Sequence, residues 1–251
     1  MRLRSQLKTF AVLGVFSLIC SVVGNWQPAR AADASKATFV FFEKFPSDNP
    51  REWNVQSLSD GSKTFLQGSS YHIVRTRPGT MRGWPLQVKV PSGFQFNAKF
   101  QLVKGSDPYE GISFWDDLAN SFTLFAVTPD GNAGLFRHDS KGYKVLVDWR
   151  PVASIHRGVG AVNSLSVNLD RYNAAAGRSF LINGVPLGRA CNDTWQKALG
   201  TPPTSPARGL FVGLVAGTYK GSSQVMITRA SMYDGTQVGP VPACPSGAKK
   251  K

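Results

Sequence analysis

The side chains able to do acid–base chemistry are few, and their spacing does not suit it. The 251-residue chain has three glutamates, Glu43, Glu52 and Glu110. Retaining hydrolysis of a glycosidic bond needs two carboxyl groups about 5 Å apart. On a strand that means positions i and i+2, which share a face; no two glutamates are so placed. Asp116-Asp117 is the nearest carboxylate cluster. Adjacent strand residues point apart, so the two read first as a turn pair. They read second as part of a calcium site, since loop carboxylates suit that hard ion. No other cofactor is suggested. His72, His138 and His156 lack metal-ligand spacing. No G-x-S-x-G or comparable context activates a serine, and His138 reads as an ordinary sheet-face residue before it reads as a general base. No catalytic residue is expected.

The aromatic residues are the richer signal. Tyr109, Phe114, Trp115, Phe122, Phe125, Phe136, Tyr143 and Trp149 fall within one stretch. Strand alternation puts Ile112 and Phe114 on one face, as core, and Gly111, Ser113 and Trp115 on the other. The second row is small and polar and ends in an indole, as a ligand-facing row would. An exposed Trp can stack on the apolar face of a sugar ring. Phe125 and Phe136 are assigned to core. Trp115, His138, Tyr143, Trp149 and Arg150 are the candidate ligand contacts, with Asp148 a weaker one.

The elements that would hold these residues are strands. Segments of four to nine residues alternate between apolar and polar, punctuated by Gly, Pro, Asn, Asp and Ser. The pattern predicts strands at 38–42, 70–75, 86–90, 95–103, 111–115, 121–128, 134–138, 144–148, 164–169, 179–182, 210–216 and 223–233. A short helix is expected over 193–198, capped by Asn192. Thr128-Pro129-Asp130-Gly131 is a turn signal. Asn183-Gly184 is a two-residue hairpin signal, because Asn-Gly tolerates positive φ. Many short strands with regular turns indicate an all-β sandwich.

The order "YEGISFW", "NSFTLFAVTPDGNAGLFRHD", "YKVLVDWRPVASIHRGVGAVNSLSV", "SFLINGVPL", "RGLFVGLVAGT", "VMITRASMYD" resembles the concanavalin A-like lectin/glucanase superfamily, in particular its laminin-G-like branch and bacterial branches of undefined function. It covers roughly Phe39 to Tyr233. The resemblance implies a jelly-roll of two curved antiparallel sheets, often with a ligand surface on the concave face or its rim. It implies no single activity, because the fold hosts lectins, adhesion modules, glycosidases and lyases. The alternating E-x-D-x-E strand of laminarinase-type enzymes of this fold is absent from the sequence.

The ends of the chain bear on location and partners. "MRLRSQLK", then "FAVLGVFSLICSVVG", then Ala29-Arg30-Ala31 fit the three regions of an export signal, so residues 1–31 read as a signal peptide. The apolar run is short for a comfortable membrane span, and no stable span is expected after cleavage; retention as an anchor is the alternative. Residues 32–236 read as one jelly-roll domain, and 237–251 as a flexible basic tail. Cys191 and Cys244, an even pair in an exported chain, read as a disulfide, with two free thiols as the alternative. The formal net charge is +14, of which residues 1–31, with four basic residues and no acid, carry +4. Such a charge favours anionic partners. Nucleic acid is a weak candidate, since no helix-turn-helix, RNA-recognition or zinc-finger pattern occurs. The expected function is a periplasmic or secreted, non-catalytic module that binds glycan or another cell-envelope ligand. A carbohydrate-active hydrolase or lyase, and an envelope interaction or structural module, are the alternatives.

Overall fold

The structure is a computed structural model. It describes residues 38–234, except 87, 91–92, 118–120, 170–177 and 188–208, within which only Trp195 and Ala198 are described. The export segment, both cysteines of the expected disulfide and the basic tail lie outside the described residues. So does most of the expected short helix, though Trp195 and Ala198 themselves have helical backbone.

Alternation builds the first sheet. Strand β6 (Phe94–Gly105) turns Phe94, Phe96, Ala98, Phe100 and Leu102 inward, none more than 4% exposed. Strand β15 (Ser223–Asp234) lies antiparallel beside it and turns in Val225, Ile227, Ala230 and Met232. Around this pair stand β1 (Thr38–Glu43), β2 (Gln56–Ser57), β3 (Lys63–Gln67), β4 (Ser70–Arg75), β11 (Val162–Leu169), β12 (Arg178–Ile182) and β13 (Val185–Pro186). The order is β13-β12-β11-β6-β15-β4-β3-β2, with β1 also on β15, nine strands in all.

The second sheet has six strands. They are β5 (Gly79–Gly83), β7 (Pro108–Asp116), β8 (Phe122–Val127), β9 (Asn132–Asp139), β10 (Gly142–Pro151) and β14 (Phe211–Thr218), in the order β10-β9-β8-β7-β14-β5. All pairings in both sheets are antiparallel. Ile112, Phe114, Phe125, Leu135 and Leu214 meet the rings of β6 in one inter-sheet core. Each such side chain contributes about 1.5–3 kcal/mol by burial. The protein is a jelly-roll β-sandwich.

The turns follow their residues. Gly131, at φ 97°, donates its amide to the Thr128 carbonyl and closes the β8–β9 hairpin. Asn183 and Gly184 both take positive φ between β12 and β13. The strand expected over 86–90 does not form. Pro85 makes one isolated bridge with Trp53, and Val90 joins Leu210 by a loop hydrogen bond. Prolines at 85 and 91 deny this segment the donors of a ladder. Strands β2, β3, β5 and β13 are additional to those the pattern predicts.

Candidate functional site

The outward face of the six-stranded sheet carries a second apolar layer. Tyr109 on β7, Phe122, Leu124 and Ala126 on β8, Phe136 on β9 and Val215 on β14 form a buried cluster, and Trp149 of β10 packs against it. Phe136 is thus buried, as expected, but on the face opposite the inter-sheet core. Strands β7, β8 and β14 are in consequence buried at every position.

Glycines let the rings lie flat on the sheet. A Cβ at Gly217 would stand 2.1 Å from Cζ of Tyr109. One at Gly134 would stand 2.6 Å from the Phe136 ring and 3.0 Å from Trp149. The small row read as open ligand space is filled in the same way: a Cβ at Gly213 would meet Ser113 Oγ at 2.6 Å.

The sheet also curls toward this face. Tyr143 is on β10 and Thr80 on β5, the two outermost strands. Laid flat, five strand spacings would separate them by about 24 Å. Their hydroxyl oxygens are 2.6 Å apart. The face is therefore concave, and its two edges meet across it. Thr80 Oγ1 also bonds the Tyr109 hydroxyl at 2.5 Å, and Trp149 Nε1 donates to the Tyr219 hydroxyl at 3.0 Å. Burial pushes the phenols of Tyr109, Tyr143 and Tyr219 up from their ordinary range, so they stay protonated at neutral pH. The rings form two groups, Phe122 with His138 and Tyr143, and Tyr109 with Phe136, Trp149 and Tyr219, bridged by the Thr80 hydroxyl. His138 stacks on Phe122 at 5.0 Å and meets Tyr143 at 4.6 Å; Tyr219 lies 5.2 Å from Tyr109 and 6.4 Å from Trp149.

A bulge decides which residues of β7 reach this face. Ser113 pairs with Gly213 and Asp116 with Phe211, so β7 has one residue more than β14 across that interval. Trp115 has φ 52°. A bulky residue in that region is strained, by about 1–3 kcal/mol. The inserted residue shifts the parity: Trp115 turns into the inter-sheet core, 5% exposed and 5.3 Å from Phe114. This corrects its expected place on the ligand-facing row. Asp116 takes the outward position and is fully buried. Its carboxylate accepts from Arg82 at 2.7 Å and from Ser113 Oγ at 3.3 Å. The Arg82 guanidinium in turn lies 4.4 Å over the Phe122 ring.

Of the expected contacts, His138, Tyr143 and Trp149 come together on the concave face. Arg150 does not join them: it is exposed and its guanidinium lies 5.9 Å over Trp195, which packs in the inter-sheet core. Asp148 accepts from the Trp149 amide. Asp117 accepts from the Ser121 amide at 2.9 Å, as a turn residue does. Among the described residues no group of three or more His, Cys, Asp or Glu could hold a metal ion. Arg82, Thr80 and Tyr219 were not singled out from the sequence. Each is a lone polar residue whose neighbours come from distant strands, and no local pattern marks it.

Glu110 lies on the other face of β7. Burial pushes its carboxyl up to about 8, against the opposing effect of its hydrogen bond with Asn163. Such a group stays protonated at neutral pH, as a general acid must. The adjoining cavity, lined by Leu102, Pro108, Thr128, Pro129 and Asn163 among others, has a volume of only about 10 Å³. That is room for about one water and not for a sugar ring.

No family model and no curated protein matches the sequence. Solved structures do match. One comes from work on the endo-acting O-glycanases with which human gut bacteria initiate mucin breakdown: TM-score 0.52, 8% identity, 79% of this chain and 100% of that one. The laminarinase catalytic domain of Thermotoga maritima matches at TM-score 0.52 and 10% identity, over 80% and 99% of the two chains. The endo-1,3-beta-glucanase of Thermotoga petrophila matches at 0.51 and 9%, over 80% and 99%. The chain shares the jelly-roll fold of these structures, the fold that the sequence resemblance implies.

Proposed function

We propose that this chain is an exported, non-catalytic module that binds a glycan, or another cell-envelope ligand, against the aromatic concave face of its six-stranded sheet. The observation that carries the reading is the ring array. Tyr143 and Tyr219 are 53% and 50% exposed at its rim, with Trp149 half-buried between deeper rings. Flat, anchored aromatic surface of this kind stacks on the apolar faces of sugars. Glycan-active structural neighbours support the class of ligand. Binding is favoured over hydrolysis because the buried carboxylate of this face, Asp116, is committed to Arg82, Glu110 faces away, and Asp107 and Asp148, near Tyr219 at the rim, are exposed and not held beside Asp116. Retaining chemistry would need a second carboxyl about 5 Å from the first. Export rests on the charge and hydropathy pattern of residues 1–31.

A glycan array probed with the exported protein, with and without calcium, tests the proposal. Tyr143→Ala and Trp149→Ala should each weaken binding by about 1–3 kcal/mol. The glycan reading fails if no glycan binds, and the concave face is not the site if both variants bind as the parent does. Release of reducing sugar from a bound glycan would replace it with the hydrolase reading.

A further inference from the structure

We propose that the outward face of the nine-stranded sheet is a separate contact surface for an anionic phospholipid membrane. Lys99 on β6 stands directly opposite Arg229 on β15. Like charges paired across two central strands repel each other. A bulge creates the pairing: the register passes from Ile227↔Phe100 to Arg229↔Lys99, leaving Thr228 as the extra residue. Without it Thr228 would face Lys99, and Arg229 would turn inward. The strand thus breaks its regular ladder to set a second cation beside the first.

A third cation joins them. Lys44 follows β1, and its Nζ lies 5.9 Å from the Phe42 ring, while Cζ of Arg229 lies 5.2 Å from the same ring. Among the described residues Lys44, Lys99 and Arg229 make no ion pair. By the pairing registers, the described strands put no Asp or Glu on this face. Among the residues of the described strands, the charge on this face has one sign.

Two features favour lipid over an acidic polysaccharide. Phe42, 41% exposed, lies against two of the cations, and Phe39, 53% exposed, shares the face farther along β1, a mixture of basic and apolar groups that headgroups and the acyl boundary receive together. Stacked sheets keep a near-constant separation, so a sheet lying behind a concave one has a convex outward face. A convex face cannot wrap a polymer chain, but it can rest on a broad surface.

Vesicle co-sedimentation of the isolated protein tests this, using phosphatidylcholine with and without about one-third phosphatidylglycerol. Binding should require the anionic lipid and fall with salt. The Lys99→Gln/Arg229→Gln double variant should bind the anionic vesicles roughly tenfold less or weaker still. It should melt close to the parent, because relief of the repulsion offsets the lost contact of Arg229 with the Phe42 ring. Phe42→Ser should weaken binding several-fold while keeping the salt dependence. Undiminished binding by the double variant overturns the proposal, as does binding to dextran sulfate without binding to vesicles. The double variant should keep its glycan-array signal. Its loss would mean that the two faces are one site, and would overturn their separation; array failure with vesicle binding intact would instead count against the concave face alone.

Discussion

In β6 the inward residues are buried and those between them half-buried or exposed, down most of its length. In β7 nine successive residues are buried. Both strands are central in antiparallel sheets of the same sandwich, and such sheets commonly leave one face to water. Among the described residues, no further layer of secondary structure covers the second face of the six-stranded sheet. The sheet curls until Tyr143 meets Thr80, and rings laid over glycines fill the hollow. The nine-stranded sheet lies behind the curl and keeps basic and apolar side chains together on its exterior. A run of buried residues in a strand therefore need not mean a parallel sheet or a missing partner; curvature and aromatic size can supply the cover.

The largest effects should come from the face that both sheets share. Phe114→Ala and Trp115→Ala should each cost about 3–5 kcal/mol of folding stability, since both rings lie in the inter-sheet core. Denaturant melts decide this. If Trp115→Ala melts like the parent, the bulge does not turn the indole inward, and the comparison of the two faces is wrong at its central strand.

Glu110 sharpens the comparison through pH. Its carboxyl would release its proton near 4.5 when unfolded and near 8 when folded. Between those values the native state holds a proton that the unfolded state has lost. Stability is therefore fullest in acid, falls as pH rises through that window, and levels off above about 8, a change of a few kcal/mol. Glu110→Gln should remove the slope. Melts of parent and variant at pH 5, 7 and 9 that run parallel would show that the carboxyl is not held neutral on that side of β7.

The ion pair on the concave side should matter somewhat less. Arg82→Ala removes the cation from a fully buried carboxylate and should cost about 3 kcal/mol. Arg82→Met with Asp116→Leu should recover most of it, because well-packed apolar residues can replace a buried pair. A loss under 1 kcal/mol for Arg82→Ala alone would mean that water reaches Asp116 and that the concave face is wetter than the core.

The strands were legible because their period is two, and so were the turns at Thr128–Gly131 and Asn183-Gly184, where proline and glycine fix the dihedrals. "GTMRG" was not, because β5 is short, polar and glycine-bounded and owes its place to β14. The site was half legible. His138 and Tyr143 follow alternation across the β9–β10 hairpin, whereas Trp149 reaches the same face only because two register shifts in β10 flank Val147, which turns inward. Trp115 breaks the alternation, because a single residue in a left-handed conformation exchanges the faces beyond it. Nothing in "ISFWDD" announces that, since a tryptophan is an unfavourable choice there. Arg82, Thr80 and Tyr219 reach the site only through the curl, a property of six strands at once.

The smallest expected effect bears most directly on that curl. Tyr143→Phe removes one hydroxyl from the contact between β10 and β5 and leaves Thr80 bonded to Tyr109. Tyr143 is about half exposed, so water replaces much of what is lost, and the net cost should lie near 0.5 kcal/mol, the lower end for a hydrogen bond. The ring stays, with its edge contacts to His138 and Phe122. Glycan affinity should therefore fall less than with Tyr143→Ala. A stability loss above about 2 kcal/mol would exceed what one exposed hydrogen bond can supply. The edge-to-edge contact would then be what holds the sheet curled, and the concave face would be a second core first and a ligand surface only at its rim. An unchanged melt with affinity reduced as far as in the alanine variant would point the other way: the hydroxyl itself would contact the ligand, and the hollow would be held by its rings alone.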